Sequence, residues 1–158
     1  GQEFGLRSGT ENVPAIIGFA KAIELISNSR ELENKRIKQL TDYFRERLKK
    51  IHSKVKLNNY DICANPLSNL CKSMFLPNIL NIYFPSQNAQ DLLMEFDLNG
   101  VAISSGSACS ARATKQSHVL KAIGLNAQKI KSSLRFSFGK FTTKEEINRA
   151  LKIIKTII

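Results

Sequence analysis

Residues 132–158 read SSLRFSFGKFTTKEEINRALKIIKTII. Leu134, Phe136 and Phe138 alternate with other residues, which is the two-residue period of a strand with one apolar face. Gly139 ends that run. Thr142 and Glu145 stand three residues apart, the spacing of a capping box. Ile147, Ala150, Leu151, Ile154 and Ile158 then recur along one side of the helix it would start. A half-apolar strand leading into an amphipathic helix can bury both faces only in layers, helix on sheet.

The same punctuation extends upstream. Asn78 to Phe84 (NILNIYF) alternates and is rich in strand formers, and Pro85 closes it. Leu92, Leu93 and Phe96 mark a short helix with Gly100 at its C-terminal end. Val101 to Ile103 reads as a short buried strand, and Ser104 to Thr114 as a loop of small polar residues. Ser117 is placed to cap a helix holding Val119, Leu120 and Ile123, which Gly124 ends.

Nearer the start, Gly5 and Gly9 punctuate a looped opening. Pro14 fits the first turn of a helix carrying Ile16, Ile17, Ala20, Ile23 and Ile26. Asn28-Ser29 interrupts it, and a second helix from about Glu31 to Ile51 sets Ile37, Leu40, Phe44, Leu48 and Ile51 on one face. Asn58 to Pro77 is irregular and reads as a long excursion. The elements together predict an α+β domain, a short sheet covered by helices and preceded by long linking helix.

With 158 residues, 42% of them apolar and 23% charged, the chain suits one ordinary globular domain or one domain plus a remnant of another. That balance excludes intrinsic disorder and collagen-like repeats. No apolar run approaches the length of a membrane span, and no basic-then-apolar leader is present. The opening Gly1-Gln2-Glu3-Phe4 lacks Met and reads as the start of a fragment. Lys and Arg number 24 against 13 Asp and Glu, a formal charge of +11, which favours anionic partners. The lysines are scattered along helical patterns without a dense tract, so a solvated surface accounts for them and direct nucleic-acid binding is not expected. Three cysteines, Cys63, Cys71 and Cys109, do not make a disulfide framework and point to a reducing compartment.

Chemistry concentrates in Ser104-Ser105-Gly106-Ser107-Ala108-Cys109-Ser110-Ala111. A free cysteine is ordinarily a small buried hydrophobe. Here it stands among serines and small residues between a strand and a helix, where a glycine-bearing loop would present the thiol to a reactant. Arg112, Lys115 or a helix N-terminus would favour the thiolate, the nucleophilic form. A purely structural cysteine is the competing reading. His118 lies nine residues further on, but a histidine in the first turn of a short helix is ordinarily structural or solvent-facing. His52, at a helix end, suits a cation near the C-terminal dipole and has no catalytic assignment. Cys63 and Cys71 lack the partners and spacing of a metal site, so no metal is expected.

Ser104 to Ser110 (SSGSACS), Ser117 to Leu125 (SHVLKAIGL) and Ser132 to Thr143 (SSLRFSFGKFTT) resemble the C-terminal part of cysteine desulfurases of the NifS/IscS-like group. Arg7-Ser8-Gly9-Thr10 and Leu76 to Phe84 (LPNILNIYF) are similar to further segments of that family, in the same order. The similarity is weakest over Asn58 to Phe75. The resemblance implies a class V, fold-type I enzyme that uses pyridoxal phosphate to take sulfur from L-cysteine, leaving alanine and a persulfide. Residues 1–27 would then be a loop and helix of the cofactor-binding large domain. Residues 28–158 would be the small C-terminal domain, with its reactive-cysteine loop at 104–116. Cys109 matches the persulfide-forming position, and Arg135 the arginine that binds the substrate α-carboxylate. Guanidinium suits that task by its planar fork; the alternative for Arg135 is a surface charge, against which its apolar flanks Leu134 and Phe136 argue, because a charge among buried neighbours needs a partner. Thr10 matches a threonine that donates to the cofactor phosphate across a dimer interface, and it is also placed to cap the helix through Pro14.

The resemblance further implies a homodimer in the complete enzyme, an iron–sulfur scaffold or other sulfur-acceptor protein as partner, and a home in the bacterial cytoplasm or mitochondrial matrix. It marks absences as well. The family's cofactor-binding lysine follows a histidine upstream of the segment matched by Gly1 to Thr10, and no His-Lys pair occurs here. The chain stops at Ile158, within its final helix and before the tail by which family members dock a scaffold. The isolated chain is therefore expected not to catalyse desulfuration, although Cys109 could still carry a persulfide. A selenocysteine lyase would share these motifs, a non-catalytic basic module binding tRNA or an acidic protein is the alternative from another class, and a stand-alone sulfur carrier lies between the two.

Overall fold

The computed structural model describes residues 2–58, 76–105 and 117–158. The chain divides into two compact units, Gly1–Glu33 and Asn34–Ile158. The first holds a single 3-10 turn, Glu3–Gly5, and the opening of helix α1, Val13–Ile51. Asn12 caps that helix, where Thr10 was the expected candidate: its Oδ1 accepts from the Ala15 N–H at 3.2 Å and its carbonyl from the Ile16 N–H at 3.1 Å. Ile16, Ile17, Phe19 and Ile23 are all exposed within this unit.

The interruption expected at Asn28-Ser29 does not occur, and α1 runs through both residues. Ser29 Oγ donates to the Leu25 carbonyl at 2.9 Å. Its hydroxyl is thereby satisfied inside the helix and does not compete with the backbone, the effect that makes serine a poor helix residue elsewhere.

The second unit is built on a three-stranded antiparallel sheet of β1 (Lys56–Leu57), β2 (Ile79–Tyr83) and β3 (Ser133–Ser137), in that spatial order. Alternation splits each strand between two faces. Leu80, Ile82, Leu134 and Phe136 point to the core, with Phe84 and Phe138 just beyond the strand ends. Three helices cover that face: Ile37, Phe44 and Leu48 of α1, Ala89, Leu92 and Phe96 of α2 (Ala89–Leu98), and Ile147, Leu151 and Ile154 of the last helix. Phe136 lies at the junction, its ring centroid 5.1 Å from Phe44, 6.4 Å from Phe84 and 6.1 Å from Phe96. The layered α+β arrangement read from residues 132–158 is the one observed.

Local signals set the helix ends. Asn88 Oδ1 accepts from Gln90 N at 2.9 Å to start α2. Gly100, at φ 75°, closes it in a Schellman motif, with Gly100 N–H on the Asp97 carbonyl and Val101 N–H on that of Phe96, both at 2.9 Å. The positive φ is what calls for glycine there. Ser117 caps α3 (His118–Ala122) as expected, although Val119 on that helix is exposed. A further short helix, α4 (Ala127–Lys131), capped by Asn126, follows where no element was foreseen. Five residues are too few to show periodicity.

The final helix, α5 (Lys144–Ile157), has its capping box one residue later than the sequence reading placed it. Thr143 Oγ1 accepts from Glu146 N at 3.2 Å, and Glu146 Oε2 accepts from Thr143 N at 2.9 Å. Thr142 instead tightens the preceding turn, its Oγ1 accepting from Gly139 N at 2.9 Å. Adjacent threonines followed by adjacent glutamates fit either register. Arg36 of α1 selects this one by donating to the carbonyls of Thr142, Gly139 and Lys140 at 2.9, 3.2 and 2.8 Å.

Candidate functional site

The outer face of the sheet carries the polar residues that the core face excludes. Register places Asn81 of β2 directly opposite Arg135 of β3. On the other side of Arg135, Ser104 forms an isolated antiparallel bridge, with Ser104 N–H on the Arg135 carbonyl at 3.2 Å and Arg135 N–H on that of Ser104 at 2.6 Å. On the far side of Asn81 lies the side chain of Asn58, the residue that follows β1. One rung of the sheet therefore reads Asn81, Arg135, Ser104, and Asn58 joins its Asn81 end through a side-chain hydrogen bond.

Asn58 is buried, at 2% exposure, although it opens the stretch read as an irregular excursion. Its Nδ2 donates to Asn81 Oδ1 at 2.6 Å and to Ser133 Oγ at 2.8 Å. Ser133, itself fully buried, passes its own proton to the Lys129 carbonyl at 2.6 Å. Arg135 contrasts with these neighbours. It was expected to sit among buried residues with a partner, but the period of two that buries Leu134 and Phe136 turns it to the opposite face, where it is exposed. Among the described residues its guanidinium has no hydrogen bond or ion pair. An unpaired guanidinium in a row of hydroxyl and amide groups is suited to an anionic ligand, bidentate carboxylate above all.

Ser104 also marks where the chain departs toward Cys109, which lies five residues further on. Cys109 itself, with Arg112 and Lys115, falls outside the described residues, as do Cys63 and Cys71. The expected buried strand at Val101 to Ile103 is reduced to the bridge at Ser104, with Val101 and Ile103 half-buried and Ala102 exposed. His118 is exposed in the first turn of α3.

Thr10, in the first unit, is exposed with its backbone carbonyl accepting from Arg7 Nη2 at 3.1 Å. Donors near it limit what a phosphate group could find. Val13 N–H is taken by the Glu11 carbonyl, Ala15 N–H by Asn12 Oδ1 and Ile16 N–H by the Asn12 carbonyl, while Pro14 has none. The amides of Val13, Ala15 and Ile16 are thus taken, and the Thr10 hydroxyl is a further donor beside them. A single hydroxyl donor is a supporting share of a phosphate site.

The family profile described as Aminotransferase class-V matches residues 1–150. The chain belongs to the class-V aminotransferase family. It is 41% identical over 157 residues to the cysteine desulfurase IscS of Dictyoglomus turgidum, a match covering 99% of this chain and 37% of that protein. The putative cysteine desulfurase IscS 1 of Bacillus subtilis is 36% identical over 158 residues, covering 99% of this chain and 39% of its own length. Among solved structures, a NifS-like protein from Rickettsia africae superposes with a TM-score of 0.76 at 32% identity, over 99% of this chain and 38% of that one. The chain thus spans less than two fifths of the length of each of these relatives. Membership implies dependence on pyridoxal phosphate for the family, and Thr10 has an exposed hydroxyl of the kind a phosphate group takes. No described helix is long and apolar enough to cross a membrane.

The sequence singles out Arg135 and the stretch that Ser104 opens, but not Asn58 or Asn81. Alternation in NILNIYF already sets Asn81 on the face opposite Leu80 and Ile82. Its pairing with Arg135 is a matter of register between strands some fifty residues apart, which neither strand encodes alone.

Proposed function

We propose that this chain is the C-terminal part of a cysteine desulfurase, in which Arg135 binds the α-carboxylate of L-cysteine and Cys109 receives its sulfur. The observation that carries this reading is the bridge between Ser104 and Arg135. It joins an unpaired guanidinium to the origin of the cysteine-bearing stretch. Five residues of extended chain reach about 17 Å, so Cys109 is tethered within a short span of the arginine. The names of the relatives supply the reaction that such a pair would serve.

The balance of that reaction is simple. The Cys109 thiolate attacks the sulfur of the substrate, a sulfur–sulfur bond forms and the Cβ–S bond breaks. The electron pair of the broken bond stays with carbon, which takes a proton to become the methyl group of alanine. Pyridoxal phosphate, when bound, supplies the electron sink that makes carbon chemistry of this kind accessible. Arg135 fixes the carboxylate end of the substrate and thereby aims its sulfur, a positioning effect. Thr10 donates its hydroxyl to the cofactor phosphate. The persulfide left on Cys109 then passes to an acceptor protein.

Residues 1–27 belong, in this reading, to the cofactor-binding domain of the longer enzyme, and residues 28–158 to its small domain. The exposed stripe Ile16, Ile17, Phe19 and Ile23 supports this, since contiguous apolar surface on a helix marks a face that packs against something. The 158 residues alone do not turn over cysteine, because the lysine that carries the cofactor lies in the part of the enzyme they do not include.

The test is alanine formation from L-cysteine with added pyridoxal phosphate. It compares the chain alone, the chain complemented by the remaining portion of the Dictyoglomus turgidum relative, and the complemented Cys109→Ser variant. Alanine only on complementation, abolished by Cys109→Ser, is the expected result. Alanine from the chain alone would overturn the assignment of the cofactor lysine.

A further inference from the structure

We infer that Asn58 is a positioning residue for substrate binding: it holds the side-chain oxygen of Asn81 away from Arg135 and so keeps the guanidinium available for the substrate carboxylate. The inference rests on the assignment of Arg135 above and adds a device that governs it.

The polarity of the rung is fixed by a relay. A serine hydroxyl has one proton, and that of Ser133 goes to the Lys129 carbonyl. Ser133 Oγ can then only accept from Asn58, so the atom of Asn58 that faces it is the amide nitrogen, at 2.8 Å. That nitrogen has a second proton, and at 2.6 Å from Asn81 it meets the carboxamide oxygen, the one atom of that group able to accept it. The orientation of both carboxamides therefore follows from a backbone carbonyl and needs no independent assignment.

Asn81 is bonded to Asn58 on one flank and paired in register with Arg135 on the other. An oxygen bonded to Asn58 is not offered to the guanidinium. Turned toward β3, the same oxygen would be an acceptor for the guanidinium N–H donors. An exposed arginine captured by a neighbouring carboxamide must give up that bond before a ligand can take its place, which weakens the ligand by the worth of the bond. Burial of Asn58 makes the relay hard to reverse, because a carboxamide turned the wrong way at 2% exposure leaves a polar group unsatisfied.

The test uses steady-state kinetics on the complemented enzyme and titration of the 158-residue chain. Asn58→Leu is expected to raise KM for L-cysteine roughly fivefold, the worth of one competing hydrogen bond, with kcat within about twofold. Turnover of cysteamine, which has no carboxylate to bind, should not change. The diagnostic variant is Asn58→Leu/Asn81→Leu. It removes the competing oxygen and should restore KM, whereas a merely structural role for Asn58 predicts a further loss. Should Asn58→Leu not fold, Ser133→Ala releases the relay while leaving residue 58 in place, and a smaller rise in the same direction is expected. In the chain alone, acetate is titrated against the Arg135 Nε–H resonance, and Asn58→Leu should weaken the response by a similar factor, again with rescue by Asn81→Leu. Unchanged KM in an active enzyme, or an unchanged acetate response, overturns the inference. An altered acetate response in a chain whose complemented form makes no alanine upholds the relay and refutes the desulfurase reading instead.

Discussion

Arg135 and Phe136 are neighbours in sequence and opposites in environment, so replacing each with alanine tests the register of β3. Phe136 is 5% exposed and packs on the rings of Phe44, Phe84 and Phe96. Truncating a phenylalanine so enclosed costs about 3–5 kcal/mol, transfer and cavity terms together. Against a total stability of roughly 5–15 kcal/mol for a domain, that is a large fraction. With a urea m-value of about 2 kcal/mol/M, the unfolding midpoint of Phe136→Ala should fall by roughly 2 M. Arg135→Ala removes a side chain with no partner among the described residues, and its cost should stay within about 0.5 kcal/mol. Urea titration of the 158-residue chain followed by circular dichroism measures both. A one-residue slip of β3 would exchange the two faces. The reasoning fails if Arg135→Ala costs as much as Phe136→Ala, or if Phe136→Ala costs less than about 1 kcal/mol.

Four further substitutions probe single polar groups. Thr41, 5% exposed on the core face of α1, has a buried hydroxyl with no hydrogen-bond partner among the described residues, so the isosteric Thr41→Val should stabilise the chain by about 1 kcal/mol, read as a higher urea midpoint. Thr143→Ala removes the capping box of α5 and should cost about 1 kcal/mol; in the same titration Glu145→Ala, outside the box, should cost clearly less than Glu146→Ala.

Much of this fold was legible because its signals are local and periodic. The alternation around Phe136, the stripe on α5 and the glycine ends of α2 and α3 each follow from a few consecutive residues. The misreadings share a cause. Asn28-Ser29 looked like a break because the sequence does not show that Ser29 bonds back to Leu25. The capping box was set one residue early because Arg36, more than a hundred residues away, decides between two equivalent registers. For the candidate site, Arg135 stood out as a charge between apolar residues, but the inference drawn from those flanks was incorrect: a strand buries alternate residues, and its charge faces away from them. Asn58 was unreadable in principle, since its partners Asn81 of β2 and Ser133 of β3 lie 23 and 75 residues further along the chain.

The central claim is that sulfur from L-cysteine comes to rest on Cys109. Mass spectrometry of the peptide carrying Cys109, after the complemented enzyme has met L-cysteine and pyridoxal phosphate under anaerobic conditions, tests this directly. The account predicts a gain of one sulfur atom on that peptide, removed by dithiothreitol and absent when Arg135→Gln impairs carboxylate binding at low substrate. Alanine formed with the added sulfur on Cys63 or Cys71, and none on Cys109, would contradict it.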